Sequence, residues 1–346
     1  MPAPDGPAAV ASAGQGAQRW SLGVIGAGQV VTNAHLPVLT TSLGTTLAWI
    51  FDIDSRKATS VARAQQARVC RFEDLRSGLS DVNIVLLAAP YGARSRYYEL
   101  LADFPLVALF VEKPLAKTIE QHRAICRPYT DYQIGCDLNR RAADTVRTAK
   151  DLIEHRVFGA LREVRAAFGH RGAMLGGGQY NSNLELAGGG VLFEMGIHYL
   201  DTVLFCSSAK DIAVESGHMI EDLGFDLHTE ARLRITLADG REVPFDLTVS
   251  VLSDQQEGID FVFDHASLSL SLSRTYLALR SRDHRYHADL SRAFAIQFVT
   301  SFQHIFSMWR DFLDGLTSRR AGFASAYSSL LTTKSLELLY SLPRRL

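Results

Sequence analysis

The chain has 346 residues, a net charge of −1, 47% hydrophobic residues and four cysteines. That length is more than one core usually fills, so two domains are expected. The near-neutral charge and lack of a long basic run exclude a nucleic-acid binder, which needs a concentrated positive face. Cys70, Cys126, Cys136 and Cys206 show neither CxxC pairing nor zinc spacing, so no metal site is expected and the thiols read as buried and reduced.

Residues 1–19 are rich in Ala, Gly and Pro and read as a tail, without the basic start and apolar stretch of a signal peptide. No later apolar run reaches membrane-spanning length, so neither a membrane partner nor a membrane location is expected; the reading is cytoplasmic. Short apolar runs bounded by turn residues then recur: Leu22–Ile25, Leu47–Phe51, Val82–Ala89, Leu106–Val111 and Tyr132–Cys136. Such runs suit strands buried on both faces of a parallel sheet. Helical stretches separate them, one over Arg56–Ala67 with Ser55 as N-cap, another after Thr118 and Gln121 at capping-box spacing. Parallel strands need crossovers, so the alternation predicts a doubly wound, Rossmann-type α/β domain over residues 20–138.

The pattern changes after about Asn139. A helix over Ala142–His155 leads into strand-like segments Leu161–Phe168, Ala231–Leu237, Val243–Val251, Phe261–Phe263 and Ala266–Leu272, with Asp239-Gly240 as a hairpin signal. Helical sequence returns from about Ala293, with an apolar face at Phe302, Ile305, Phe306, Trp309 and Phe312. Residues 139–346 are therefore expected to form an α+β domain with a large, mostly antiparallel open sheet. That domain would bind substrate and join copies into a homodimer or homotetramer.

Gly26-Ala27-Gly28 ends the first apolar run and opens a helix. The first glycine permits a tight turn, the second lets the backbone approach a pyrophosphate, and the helix start supplies N–H groups through Gln29 and Val30. Val31 occupies the usual third glycine position. Asp52, at the end of the next strand, has the spacing of an acid that binds the adenosine ribose. A carboxylate there favours NAD; nearby Arg56 is the residue type an NADP site uses and keeps NADP as the alternative.

Glu112-Lys113-Pro114-Leu115-Ala116 follows the fourth strand. A lysine at the carboxyl end of a parallel strand sits where such sheets bind ligands, and its ammonium can stabilise developing negative charge on a reacting oxygen. Glu194 and His198 are four residues apart, so on a helix they share a face, and an imidazole suits acid-base work near neutrality. With His35-Leu36-Pro37, the 135–141 segment and Gly188-Gly189-Gly190 before Glu194 to Asp201, the chain resembles the glucose-fructose oxidoreductase / inositol dehydrogenase / MocA family over about residues 21–342. The resemblance implies a cis bond before Pro114, Lys113 and His198 as the proton-handling pair, and hydride transfer between the nicotinamide and a sugar, cyclitol or nucleotide-sugar carbon. It extends the expected cofactor contacts to Ala89, Pro90, Tyr91, Arg94, Glu112 and Lys113. It places Glu194, Lys113, Asn139, Arg141 and Tyr180 on the substrate. Arg140 lies in the same stretch, where an arginine can bind a carboxylate or phosphate.

Two departures stand out: Glu194 replaces the family's usual aspartate, and Arg94 replaces a common histidine. They keep open a dinucleotide-binding regulatory protein without turnover, and the resemblance itself leaves a redox-assisted epimerase or glycosidase that retains its NAD as a further alternative.

Overall fold

The structure, a computed structural model, describes residues 20–172, 183–274, 276–290 and 301–345. The expected tail, residues 1–19, and Tyr180 lie outside the described residues. Six strands build the first sheet: β1 (Ser21–Ile25), β2 (Thr46–Phe51), β3 (Arg68–Val69), β4 (Ile84–Leu87), β5 (Ala108–Val111) and β6 (Ile134–Cys136). Their order is β3-β2-β1-β4-β5-β6 and every pairing is parallel. β4 and β5 are buried at every position, which is why they read as unbroken apolar runs. The chain order reverses between β1 and β4, and the crevice at their carboxyl ends is where open α/β sheets bind ligands.

The helix after β2 runs Ser55–Gln65, and its N-cap is Asp54, whose carboxylate accepts from the Arg56 N–H. The expected cap, Ser55, is instead the first helical residue, since the carboxylate one position earlier already meets the free N–H groups. Thr118 caps the Ile119–Cys126 helix by accepting from Gln121 N, as its spacing indicates. The helix after the glycine turn is wound in wider i→i+5 turns over Val31–His35 and Pro37–Ser42; Pro37 inside it has no N–H to give.

Nine strands form the second sheet: β7 (Leu161–Gly169), β8 (Asp211–Asp222), β9 (Phe225–Thr236), β10 (Glu242–Ser250), β11 (Gly258–Phe263), β12 (Ala266–Ser271), β13 (Tyr276–Ser281), β14 (His287–Asp289) and β15 (Arg344–Arg345). Their order is β14-β13-β12-β11-β7-β10-β9-β8-β15. Only β7–β10 and β8–β15 pair parallel among the described strands, so the sheet is mostly antiparallel. One face packs on the helices Asp144–Glu154, Ile197–Cys206 and Leu330–Leu339, through residues such as Val146, Leu200, Val203 and Leu336 against Val164, Leu233, Phe245 and Leu247. The opposite face exposes Glu230, Arg232 and Arg234 in alternation along β9.

The chain does not divide cleanly at residue 139. The helix Ser301–Ser318 returns to the first sheet, and Ile305, Met308, Trp309 and Phe312 pack with Leu22, Val24, Ile84, Leu86 and Phe110. The Trp309 and Phe110 rings lie 4.1 Å apart between centroids. The core of the first sheet is therefore closed by a segment from the far end of the sequence. No helix among the described residues is long and apolar enough to cross a membrane.

Candidate active site

The glycine turn sits at the crevice. Gly26 takes φ +105°, and a Cβ there would lie 2.7 Å from the Ala88 carbonyl carbon, so only glycine fits between the ends of β1 and β4. Gly28 faces open space, with no atom within 4 Å of where its Cβ would be. Asp52 holds the turn directly: one carboxylate oxygen accepts from Ala27 N at 2.6 Å and the other from Asp54 N at 2.8 Å. Beyond Asp52 a cavity of about 360 Å³ is lined by Phe51, Ile53, Val69, Phe72, Arg71 and Arg96, among others. An exposed glycine backbone beside a half-apolar cavity ending in a carboxylate fits a dinucleotide: pyrophosphate over Gly28, ribose at Asp52, adenine between the apolar side chains.

Arg56, expected at this end, does not line the cavity; its side chain is 93% exposed and leans on Asp54. Arg71 and Arg96 stand there instead. Arg71 is paired with Asp74, and Arg96 stacks on Phe72 and Tyr97. Neither was readable from the sequence, because the two-residue β3 that places Arg71 carries no apolar signal.

The Glu112–Pro114 turn follows β5, and the Lys113–Pro114 peptide is cis, as the resemblance implies. Arg94 fixes this turn from below. It is buried, and its guanidinium donates to the carbonyls of Ala89 (2.8 Å), Glu112 (2.6 Å) and Pro114 (2.8 Å). Arg94, expected as a cofactor contact, thus braces the turn: its Nε and Nη1 donors are occupied by backbone on both sides of Lys113.

Glu112 is likewise buried away from the cleft. His35 Nε2 lies 2.6 Å from Glu112 and 3.4 Å from Asp137, while Trp309 Nε1 donates to His35 Nδ1 at 2.8 Å. Burial opposes a charge on His35, while its contacts with Asp137 and Glu112 favour a proton on Nε2. The indole can only donate, so Nδ1 must keep its lone pair. That bond fixes the neutral tautomer, with the ring proton on Nε2. Burial and then the Asp137 charge raise Glu112, so the surplus proton rests on the acid pair.

Lys113 reaches out of this turn into the second region. Its Nζ donates to the Glu194 carbonyl at 2.8 Å and lies 3.0 Å from Glu194 Oε1. Glu194 sits in a wider i→i+5 turn, Leu192–Gly196, which runs into the regular helix Ile197–Cys206 carrying His198. The entry to this helix is tightly held. Asp226 on β9 accepts from Gly190 N and Leu192 N, both at 2.6 Å, and from the Tyr340 hydroxyl at 2.6 Å. A Cβ on Gly188 would lie 2.5 Å from the Tyr91 ring; on Gly189 it would meet the Tyr340 hydroxyl, and on Gly190 the Asp226 backbone carbonyl. Tyr91 packs edge-on against Phe193 at 5.0 Å and bonds Gln121, so it joins the two regions through packing. Ala89 remains at the crevice, its backbone nitrogen next to Gly26, and Pro90 follows it in the chain.

His198 is held well below its ordinary value, first by burial and then by the charges of Lys113 and Arg140. It is a neutral imidazole at pH 7, with Nδ1 buried and without a partner. Asn139 and Arg140 lie in the turn Asn139–Ala142, and Asn139 Oδ1 and Arg140 Nε are also buried without partners. Arg141, the arginine expected on the substrate, is elsewhere. It is buried and donates twice to Asp201, at 2.8 and 2.5 Å, and also to the Phe323 carbonyl and Ser328 hydroxyl. A buried, bidentate pair leaves no donor for a ligand.

Comparison with known proteins agrees with this geometry. Residues 20–132 match the family model described as an oxidoreductase family with an NAD-binding Rossmann fold, and residues 146–269 match the Gfo/Idh/MocA C-terminal domain. A D-glucoside 3-dehydrogenase of Escherichia coli strain K12 is 27% identical over 207 residues, 58% of this chain and 58% of that protein. The match thus spans little more than half of that relative. Among solved structures, levoglucosan dehydrogenase in complex with NADH superposes with TM-score 0.78 at 14% identity, over 93% of this chain and 96% of that one. A 3-ketoreductase from Actinomadura kijaniata, in complex with NADP and TDP-benzene, gives 0.77 at 15% identity over 94% and 98%. With both halves of the chain matched and the glycine turn, Lys113 and the Glu194–His198 segment in place, the chain belongs to the Gfo/Idh/MocA family of NAD-binding oxidoreductases.

Proposed function

We propose that this protein is a sugar or cyclitol dehydrogenase, or the corresponding ketoreductase, acting on a secondary hydroxyl or keto group. The observation that carries the reading is the meeting of Lys113 with Glu194 beside the neutral His198, at the carboxyl end of β5. The E. coli relative named as a D-glucoside 3-dehydrogenase and the structural neighbour named as levoglucosan dehydrogenase support the substrate class.

When bound, the nicotinamide supplies the hydride acceptor or donor. In the oxidative direction the Lys113 ammonium donates to the reacting oxygen and stabilises charge that grows there. The neutral His198 imidazole accepts the hydroxyl proton on whichever ring nitrogen keeps its lone pair, and becomes the imidazolium. Glu194 holds Lys113 and takes a neighbouring hydroxyl. Arg94 and Asp226 keep the two arms of the site in register.

For the cofactor we infer NAD. Asp52 presents a carboxylate to the ribose end, and the two arginines of that cavity already have partners in Asp74, Phe72 and Tyr97. Copies would associate as a homodimer or homotetramer through the uncovered face of the second sheet, around Glu230, Arg232 and Arg234.

The test is absorbance at the nicotinamide wavelength against a panel of sugars and cyclitols, with Lys113→Ala beside the wild type. The variant should lose turnover by about 10³-fold while still binding NAD. Wild-type turnover in Lys113→Ala would sink the mechanism.

A further inference from the structure

Buried polar atoms in folded proteins almost always have a hydrogen-bonding partner. Among the described residues the exceptions gather at one place: Asn139 Oδ1, Arg140 Nε, His198 Nδ1 and both ring nitrogens of His304. They come from three elements, the Asn139–Ala142 turn, the Ile197–Cys206 helix and the Ser301–Ser318 helix, and the turn packs directly against the last of these. His304 is only 8% exposed, so it points inward with nothing to bond. The remaining orphans, Thr45, Thr202 and Thr229, are single hydroxyls. A group of unpartnered donors and acceptors beside Lys113 and His198 marks where a polar ligand lies.

The charge balance says what kind of ligand. The Arg140 guanidinium has no ion pair or hydrogen bond to any described residue, whereas Arg141 next to it uses its whole fork on Asp201 and nearby oxygens. Its charge reaches both His198 and His304. Burial, then Arg140, bring His304 down to about 4, so it is neutral and offers one N–H and one lone pair. Of the nearby acids, Glu194 is committed to Lys113, Glu257 accepts from Tyr199, Ser271 and Ser273, and Asp144, which also faces His304, is exposed and screened by solvent. One cation in the cleft is left unmatched.

We propose that Arg140 and His304 form an anion subsite in the substrate cleft, and that the substrate is an acidic sugar whose carboxylate or phosphate sits on these two side chains while its reacting hydroxyl meets Lys113 and His198. The proposal rests on the dehydrogenase reading above. It adds to it a specificity that the neutral, polyhydroxylated class does not require. A planar guanidinium with free N–H groups suits a two-oxygen anion, and His304 can donate one bond to the same group.

The test uses protein loaded with NAD, so that the glycine turn, the other place favourable to anions, is filled. Initial rates are compared for D-glucuronate, D-glucose 1-phosphate and D-glucose, and binding of each is followed by calorimetry. One of the two anions should show kcat/KM about 100-fold above D-glucose, and which one tells carboxylate from phosphate. Arg140→Met should bring that ratio below about threefold, and His304→Asn should lower it by about tenfold. Loss of the Arg140 charge should also move the acid limb of the rate profile, governed by His198, to higher pH. A purely structural role for Arg140 would depress all three sugars together and leave both the ratio and the limb where they were. Equal or better use of D-glucose by the wild type, or a preference that survives Arg140→Met, overturns the subsite and leaves the dehydrogenase standing. If none of the three reduces NAD, calorimetry decides: anion binding lost in Arg140→Met upholds the subsite, and no anion binding below about 10 mM overturns it.

Discussion

Two glycine-rich segments lead into helices of the site, Gly26-Ala27-Gly28 after β1 and Gly188-Gly189-Gly190 before Glu194, and they use their missing side chains in opposite ways. At Gly28 the space is open, with no protein atom within 4 Å of a Cβ position. At Gly188, Gly189 and Gly190 the space is taken by Tyr91, Tyr340 and the Asp226 backbone. The first segment is a cradle for something outside the chain. The second is a joint that presses the Glu194–His198 segment against β9 and against the loop after β4. In sequence the two look alike; what separates them is whether the facing surface belongs to the protein.

The comparison breaks most readily at Gly190. In Gly190→Ala the new methyl lands on a backbone carbonyl that is itself fixed by the strand, so unfolding should become easier by about 3 kcal/mol or more, with Tm lower by about 4 °C or more. A melting curve that overlays the wild type would mean the joint is loose and the contrast with Gly28 false. Gly28→Ala should do the reverse. Its Tm should stay within about 1 °C of wild type, because nothing is displaced, while NAD affinity by calorimetry falls about tenfold or more, about 1.4 kcal/mol. A stability loss there with unchanged affinity would identify the turn as packing.

A smaller effect sharpens the contrast by pH. His122 and His304 are each held neutral at about 4, chiefly by burial, and His198 also lies well below its ordinary value. The unfolded chain takes up these protons near 6.5 and the folded chain only far lower, so the unfolded state binds more protons in between. Stability should therefore be full above about pH 7 and decline as pH falls toward 5.5, by about 1 kcal/mol per histidine. NAD affinity, resting largely on backbone N–H groups, should stay level between pH 7.5 and about 6.5. Thermal unfolding that is flat over the lower range would contradict the buried, neutral histidines.

How much of this was legible in the sequence follows from where each residue's partner lies. β1, β2, β4 and β5 were readable because burial on both faces leaves apolar runs, and Thr118 because its partner, Gln121, is three residues away. β8 was not. Its twelve residues mix Glu215, Ser216, Gly217 and His218, and a register shift between Val214 and Ser216 breaks the two-residue alternation. The buried bonds of Arg94 and Arg141 were hidden for a different reason. Their partners are the carbonyls of the Glu112–Pro114 turn and Asp201, sixty residues from Arg141, and no local pattern shows which arginine in a stretch is already bonded. His304 sat unnoticed in an apolar helix face, since its meaning depends on Arg140 far upstream.

The return of the Ser301–Ser318 helix to the first sheet has a consequence for how the protein is made. Trp309 both stacks on Phe110 and donates to His35, so the wall behind Lys113 is built from residues synthesised some 170 positions or more after β6 is complete. A nascent chain that has finished its parallel sheet still exposes the apolar face of Leu22, Val24, Ile84 and Leu86. The cofactor half cannot mature ahead of the rest, and a fragment ending near residue 138 should come off the ribosome sticky and poorly folded.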